Sequence, residues 1–222
     1  MSQKIKIMIL GGARENGKNM YAVQVEDEIF IMDAGLKYPD SSLLGIDVVI
    51  PDLDFFRDYG DKIAGIFLTH GHADSIGALP YILRDYDIPV FGSKLTIELA
   101  KIAVQRENRR RKNDLFHVID ADTEIEFKNA NVSFFKTTHS IPDSLGIDIS
   151  TKEGEIVYTG DFKFDPSAKD GFRTDFVRLS EIAQKGVLAL LSDSTNAEAN
   201  FPNDRQTSIE KYIFNIFENY NG

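Results

Sequence analysis

The sequence predicts an α+β protein built from two β-sheets with helices packed on their outer faces. Strand-like segments open the chain, and helix-like segments then interleave with further strands. This order favours two sheets with outer helices over a simple doubly wound parallel sheet. Hydrophobic residues make up 42% of the 222 residues, which is enough for a sizeable buried core.

The first third of the chain begins with strand patterns. Residues 5–9 place an isoleucine at every second position, and the pattern ends at two glycines, 11–12. Residues 21–33 predict a hairpin whose polar turn is at 26–28. Residues 35–52 are rich in Gly, Pro, Ser and Asp, which is typical of a loop.

The middle of the chain alternates buried strands with helices. The apolar run at 63–68 predicts a buried strand. Residues 74–86 show helical apolar spacing, and a short strand at 88–92 follows them. Residues 94–112 predict a long helix with Ser93 as its N-cap.

The rest of the chain is dominated by strand patterns. Helices are predicted only around 176–182 and over 207–222, the second one capped by Thr207 or Ser208. Strands are predicted at residues 116–119, 124–127, 132–138, 146–150, 155–158 and 187–191.

Composition limits the classes of function. The sequence has no cysteine, so disulfides and thiolate metal sites are excluded, and the cytosol is favoured. No apolar stretch is long enough for a membrane span, and no signal peptide is indicated. The formal net charge of −10 disfavours non-specific binding to nucleic acid or to anionic membranes. A local basic channel remains compatible with this charge.

The segment "FLTHGHADSIGAL" at 67–79 holds the strongest chemical signal. His70, His72 and Asp74 follow a predicted strand at spacings of two, which places them on one face of an extended backbone. Two imidazoles can bind one divalent ion at about 2.0–2.1 Å. Asp74 would add an oxygen ligand or a general base. The alternative, a polar turn whose histidines only cap a helix, fits this group of three less well.

Two further candidates follow later strands. His139 ends the strand in "FFKTTHSIPDS", and Asp161 follows the strand in "IVYTGDFKFD". Strand ends can gather at one edge of a sheet, where ligands converge. Taken singly, however, a His or Asp after a strand is more often an ordinary loop residue than a ligand.

The motifs together resemble a known family. "DAG" (33–35), "THGHADS" (69–75), "THSIPDS" (138–144) and "TGDFKFD" (159–165) occur in the order typical of the metallo-β-lactamase superfamily. The chain is similar, more narrowly, to the ribonuclease J family of its β-CASP group. That similarity is carried by "GGARENGKNM" (11–20), "GIDVVIPD" (45–52), "GHADSIGALPY" (71–81), "HSIPDS" and "SDSTNA" (192–197), and it spans essentially the whole chain.

The resemblance implies an αββα sandwich with a metal site at one sheet edge. His70, His72 and His139 match the ligands of one zinc, and Asp161 matches a carboxylate that bridges two metals. Asp74 matches a ligand of the second metal that also orients the attacking hydroxide. Asp74 and Asp161 are therefore the catalytic candidates. Asp33 matches an aspartate that supports the site by hydrogen bonds.

The sequence departs from the family pattern at two positions. Ser75 stands where active members have the last histidine of H-x-H-x-D-H, and a neutral hydroxyl is a poor zinc ligand. We therefore expect one metal site, with the second impaired or empty. Arg14 stands where the family usually has glycine. It could alter the loop beside the site or place a cation there; a solvated loop arginine is the alternative. The ligand set allows Zn²⁺, Mn²⁺ or Fe²⁺.

The resemblance also implies a function and partners. Family members are metal-dependent ribonucleases that act in RNA maturation and decay, as 5′-3′ exonucleases and in some cases endonucleases. They form homodimers, tetramers or hetero-oligomers with a paralogue, and the motif of this chain resembles the less active paralogue. Partners on DNA or membranes are not expected. The implied location is the cytoplasm.

The same resemblance predicts the division of the chain. Residues 1–207 match the N-terminal part of the lactamase domain, and residues 208–222 match the start of a β-CASP domain that is inserted into it. The chain would then be an N-terminal portion of a longer protein. Its basic cluster at 105–112, "QRENRRRK", could contact RNA phosphates. A solvated helix end is the alternative.

Overall fold

Two sheets form the framework of the computed structural model, which describes residues 2–107, 113–165, 168, 172–198 and 205–220. The first sheet has six strands in the order β1-β2-β3-β4-β5-β6. β1, β2 and β3 pair antiparallel, whereas β3 to β6 pair parallel. The strands are β1 (Ile5–Gly11), β2 (Met20–Val25), β3 (Glu28–Met32), β4 (Ile63–Phe67), β5 (Val90–Gly92) and β6 (Phe116–Val118).

The second sheet has five strands in the order β11-β10-β9-β8-β7. All of its pairs are antiparallel except β10 with β11. Its strands are β7 (Glu124–Glu126), β8 (Asn131–Lys136), β9 (Leu145–Thr151), β10 (Gly154–Tyr158) and β11 (Val187–Leu191).

Six α-helices are described, and they lie mainly after the strands that they help to cover. They are α1 (Asp54–Tyr59), α2 (Ala73–Ile76), α3 (Leu79–Asp85), α4 (Lys94–Glu107), α5 (Phe176–Lys185) and α6 (Arg205–Asn219). Short 3-10 helices occupy Gly60–Lys62 and Asn113–Leu115.

The alternation of side chains along the strands separates three apolar layers. In β3, Phe30 faces the second sheet, where it joins residues such as Phe134, while Ile31 faces the helices. On the helix side, Ile97 and other apolar residues of α1, α3 and α4 pack on the first sheet. α5 covers the outer face of the second sheet through Ile182. The result is the predicted sandwich of helix, sheet, sheet and helix, held by burial of apolar surface.

The helix predicted over 74–86 is wrong in its continuity. The structure has two helices, α2 and α3, separated by Gly77 and Ala78. The Ala78 amide donates to the Ala34 carbonyl at 2.7 Å, outside the helix, and a Cβ at Gly77 would lie 2.3 Å from Leu36 Cγ. The close packing of the 33–36 loop therefore interrupts a helix that apolar spacing alone predicts.

One other helix prediction differs at its start, and a second is described only in part. α6 begins at Arg205, before the predicted caps Thr207 and Ser208. α4 is described to Glu107, and residues 108–112 of the predicted helix and of the basic cluster lie outside the described residues. α1 was not predicted, because its short apolar segment follows a long loop.

No described helix has the length and apolar character needed to cross a membrane.

Candidate metal centre

Polar residues in the loops that follow four strands come together at one edge of the sandwich. Asp33 follows β3, and His70 lies three residues beyond the end of β4. From the second sheet, His139 and Asp161 lie three residues beyond the ends of β8 and β10. The two sheets face each other, so these ends meet across the gap between them.

Three imidazoles form the centre of this cluster. The ring centroids of His70 lie 4.8 Å from His72 and 4.7 Å from His139, and His72 and His139 are 5.1 Å apart. One nitrogen from each ring lies within 4.8 Å of the others. His139 Nε2 is 3.2 Å from His72 Nδ1. A single ion could therefore contact all three rings.

Two carboxylates border the same point. His70 Nε2 is 3.8 Å from Asp74 Oδ1 and 3.9 Å from Asp161 Oδ2. Asp161 Oδ2 is also 3.9 Å from His139 Nε2. These separations exceed hydrogen-bond length but suit groups that contact a common cation. The structure thus brings together all five residues predicted as ligands.

The protonation states of these groups suit ligation. Burial, with the neighbouring His139 and His72, lowers the pKa of His70 to about 3, so its ring is neutral. Burial also lowers the pKa of His139. Burial, then the charges of Asp74 and Asp193, raise the pKa of Asp161 to about 7. Neutral imidazoles and crowded carboxylates are both stabilised by a cation.

The hydrogen bonding of the cluster also fits a divalent ion. His70 Nε2 and Asp74 Oδ1 are buried without a hydrogen-bond partner among the described groups. Buried polar atoms are normally paired, so two lone pairs directed at one point indicate a ligand other than protein. Imidazole and carboxylate donors suit Zn²⁺ and related ions.

Asp33 orients the site from behind His70. Its side chain is fully buried and accepts hydrogen bonds from the Thr69 amide (2.8 Å) and the Tyr158 hydroxyl (2.9 Å). Burial raises the pKa of Asp33 to about 7, and these hydrogen bonds oppose the rise.

Thr69 links Asp33 to the imidazole of His70. Its Oγ1 lies 2.9 Å from Asp33 Oδ2 and 2.9 Å from His70 Nδ1. When Asp33 is ionised, the threonine hydroxyl donates to it and accepts from His70 Nδ1–H. This arrangement leaves the Nε2 lone pair of His70 facing the cluster. Asp33 thus makes the supporting hydrogen bonds that the resemblance implied.

Two glycines allow the close approach of the loops that carry the site. A Cβ at Gly35 would lie 1.5 Å from the Asp74 carbonyl oxygen. Gly160 has a φ of +58°, and a Cβ there would lie 2.7 Å from Thr69 Cβ. Larger residues at either position would separate the loops that bring Asp74 and Asp161 towards His70.

Ser75 lies on α2 next to Asp74 and is fully buried. Its hydroxyl has no hydrogen-bond partner among the described groups. Its backbone is fixed, because its amide donates to the His72 carbonyl and its carbonyl accepts from Ala34. His70 also belongs to a second group of possible ligands, with Asp74 and Asp161. This group would use the same His70 Nε2 that faces the other two histidines. One nitrogen serves one ion, so a second ion would retain only the two carboxylates.

Arg14 lines a cavity of about 620 Å³ that also reaches Asp161 and Asp193. Its backbone has a φ of +62°, in the left-handed region that glycine adopts freely. The departure from the family's glycine therefore keeps a glycine-like backbone at this position. The causes that raise the pKa of Asp161 are burial and the charges of Asp74 and Asp193, and they do not include Arg14.

Comparison with known proteins places this geometry in a family. The model of the metallo-β-lactamase superfamily matches residues 13–210. The chain belongs to the metallo-β-lactamase superfamily. Divalent metal binding is the common property that this membership implies, and it agrees with the two ligand groups described above.

Individual relatives show which family within the superfamily the chain resembles. The chain is 61% identical over 196 residues to ribonuclease J 2 of Streptococcus pyogenes serotype M3, covering 88% of this chain and 35% of that protein. It is 48% identical over 221 residues to ribonuclease J 2 of Staphylococcus epidermidis, covering 100% of this chain and 40% of that protein. The resemblance to the ribonuclease J family is therefore confirmed, and the chain spans well under half of these relatives.

A solved structure supports the fold alone. A protein of unknown function from Enterococcus faecalis V583 superposes with a TM-score of 0.55 at 19% identity, over 73% of this chain and 44% of that one. The predicted αββα sandwich of this superfamily is thereby confirmed.

Sequence reasoning missed two residues that support the site. Thr69 is the first residue of the motif at 69–75, Tyr158 directly precedes the motif at 159–165, and both donate hydrogen bonds to Asp33. Only the position of each, at or just beyond the end of a strand and before a ligand candidate, could have drawn attention to it.

Proposed function

We propose that this chain is the metal-binding part of a ribonuclease J-like phosphodiester hydrolase that acts on RNA. The observation that carries the proposal is the convergence of three imidazoles and two carboxylates on one point, where His70 Nε2 and Asp74 Oδ1 have no hydrogen-bond partner among the described groups. Relatives named ribonuclease J 2 supply the substrate class. By the same resemblance, we propose roles in RNA maturation and decay in the cytoplasm, as a 5′-3′ exonuclease and possible endonuclease.

We assign the five residues as follows. His70, His72 and His139 would hold one ion, Zn²⁺ or Mn²⁺, and Asp161 would lie between this ion and a second position. A bound ion would lower the pKa of water and neutralise charge on the phosphodiester. Asp74 would orient the attacking water and accept its proton. Asp33, through Thr69, would hold the His70 ring in place.

We propose further that the intrinsic activity is reduced. Ser75 replaces an imidazole that active members use at the second position, and a hydroxyl binds zinc poorly. Two carboxylates alone would hold the second ion weakly.

The test is RNA cleavage by the whole protein saturated with Mn²⁺ or Zn²⁺. We expect measurable cleavage that is lost in Asp74→Ala. A protein that cleaves no RNA under these conditions, or an Asp74→Ala variant that cleaves equally well, would overturn the assignment. Metal content is a second measure: two bound ions per chain would contradict impairment at Ser75.

A second candidate function is a largely non-catalytic subunit that stabilises an active ribonuclease J paralogue and contributes RNA binding. Ser75 and Arg14 together favour it, because both depart from the pattern of active members. Mutating this subunit's site alone would leave turnover of the mixed complex unchanged. A fall in turnover would rule this candidate out. The homodimer or tetramer is the competing assembly, and sedimentation of the two proteins together distinguishes them.

For both candidate functions, we propose that residues 1–207 form the N-terminal part of a lactamase domain and that residues 208–222 begin a β-CASP domain.

A further inference from the structure

A second cavity lies at the same end of the sandwich as the metal centre. It has a volume of about 320 Å³ and is lined by residues that follow β5, β6 and β8. Lys136 ends β8 and lies three residues before His139. Three residues span at most about 11 Å, so a bound polymer could contact the cavity and the metal centre together.

Two lysines line this cavity. Lys94 is in the first turn of α4, and Lys136 is at the end of β8; both are exposed. Neither has an ion-pair partner within the described ranges. The 14-residue helix α4 also directs its N-terminus, at Ser93 and Lys94, to the cavity. Free amides and the helix dipole favour an anion there.

A buried hydroxyl supplies independent evidence for a ligand. Thr137 lines the cavity and is only 6% exposed. Its Oγ1 has no hydrogen-bond partner among the groups the structure describes. Buried hydroxyls are normally paired, so this donor suits an acceptor that enters the cavity.

The remaining wall offers apolar surface. Phe172, which is 45% exposed, lines the cavity with Val118 and Ile141. Exposed aromatic rings beside lysines are typical of single-stranded RNA sites, where bases stack while phosphates meet the cations.

Two carboxylates also line the cavity, Asp120 and Asp143. Asp120 Oδ1 accepts hydrogen bonds from the Thr123 hydroxyl at 2.7 Å and from the Asp122 amide at 3.1 Å. Its charge is therefore partly satisfied within its own turn. Asp143 is exposed, and its negative charge would repel an anion in the cavity. Neutralising Asp143 is therefore expected to improve anion binding.

We infer that this cavity binds a nucleotide of single-stranded RNA next to the linkage that the metal centre cleaves. The phosphate lies between Lys94, Lys136 and the N-terminus of α4, and the base rests on Phe172. This inference rests on the proposed function, because it takes RNA as the substrate and adds the subsite that holds it.

The test measures binding of a fluorescein-labelled single-stranded oligoadenylate by the whole, metal-loaded protein. Asp74→Ala serves as the background, so that binding is measured without cleavage. We expect the double variant Lys94→Ala/Lys136→Ala to bind about 10-fold more weakly. The slope of log affinity against log salt should flatten by about 1.4, from two lost phosphate contacts. Asp143→Asn should bind about 2-fold more tightly, and asparagine tolerates the φ of +60° there.

The matched control is Lys152→Ala. Lys152 is an exposed lysine in the turn between β9 and β10, at the opposite end of the strands, and it should leave affinity and salt slope unchanged. With Asp74 restored, the lysine variant should lose kcat/KM mainly through KM. Equal affinities in the lysine variant and the control would overturn the inference. The inference would also be overturned if the lysine variant lost binding to a protein partner while its affinity for RNA was unchanged.

The two failures are distinguishable. If the unsubstituted protein cleaves RNA while the lysine variant binds normally, the subsite is wrong and the proposed function stands. If no RNA is cleaved but the lysine variant still loses binding, the subsite stands and hydrolysis is wrong.

Discussion

The chain contains two clusters of buried polar groups whose individual residues have similar burial, pKa shifts and hydrogen bonding. One is the strand-end cluster of His70, His72, Asp74, His139 and Asp161. The other is the acid pair, Asp148 on β9 and Glu155 on β10, under α5. Each cluster contains a carboxyl group whose pKa burial raises to about 7, Asp161 in one and Asp148 in the other. Each also contains buried oxygen atoms without a hydrogen-bond partner among the described groups.

The clusters differ in where their free atoms can be reached. Asp148 and Glu155 are at most 3% exposed, and their partners are Ser133 (3.2 Å), Ser150 (3.0 Å) and, more distantly, Lys185 (4.0 Å). A proton shared between the two carboxyl groups would account for their remaining oxygens, Asp148 Oδ1 and Glu155 Oε2. The strand-end cluster instead combines nitrogen and oxygen ligands at an edge beside an open cavity. Burial and a raised pKa therefore do not identify a site unless different ligands converge where a ligand can enter.

The most severe test of this contrast is His139→Ala. His139 is partly exposed, so the fold should tolerate the loss, while the ion loses one of three imidazoles. We expect metal affinity to fall by more than about 100-fold, beyond the loss typical of supporting residues. Titration with Zn²⁺ in a competing chelator measures it. Asp148→Asn is the control and should bind metal normally; weaker binding there would remove the distinction between the clusters.

Asp33→Asn should have the next largest effect. The amide nitrogen cannot accept from Tyr158 or Thr69, so the orientation of His70 loses its support. We expect metal affinity to fall by about 10- to 100-fold. Tyr158→Phe, which removes only one donor, should lose less. If Asp33→Asn bound metal as tightly as the unsubstituted protein, the hydrogen-bond chain through Thr69 would have no orienting role.

The predictability of these regions from sequence differs for a physical reason. The strands are recovered because apolar alternation is local, and the candidate ligands are found because the order of their motifs is specific. The break between α2 and α3 is missed because the packing of Leu36 against Gly77 is non-local. The acid pair is missed for the same reason. Asp148 and Glu155 become neighbours only through the pairing of β9 with β10, and nothing in their local sequence marks them.

Ser75→His asks whether the buried hydroxyl beside Asp74 belongs to the metal centre. If it does, an imidazole there should increase the affinity for a second ion by about 10-fold or more, since nitrogen is the better ligand. Ser75 is fully buried, so the larger side chain should also cost about 1–3 kcal/mol of stability. Metal content by mass spectrometry and thermal unfolding measure the two effects. Ser75→Asn, which adds bulk without imidazole, is the control. Equal metal content in both variants would show that Ser75 does not limit the site.

The smallest expected effect concerns the acid pair. Burial and the neighbouring Glu155 raise the pKa of Asp148 to about 7, whereas an unfolded aspartate titrates near about 3.9. Between these values Asp148 binds more protons in the folded protein than in the unfolded chain, so its contribution to stability is highest at low pH and falls as pH rises to about 7. Asp148→Asn removes this proton and can donate to Glu155. We expect it to flatten the slope between pH 5 and 8 and to stabilise the protein by about 1 kcal/mol at pH 8. Urea unfolding of metal-saturated protein at both pH values measures this, with Ser133→Ala as a control that keeps both carboxyl groups. An unchanged slope would mean that the pair shares no proton, and that its unpartnered oxygens need the same explanation as those of the strand-end cluster.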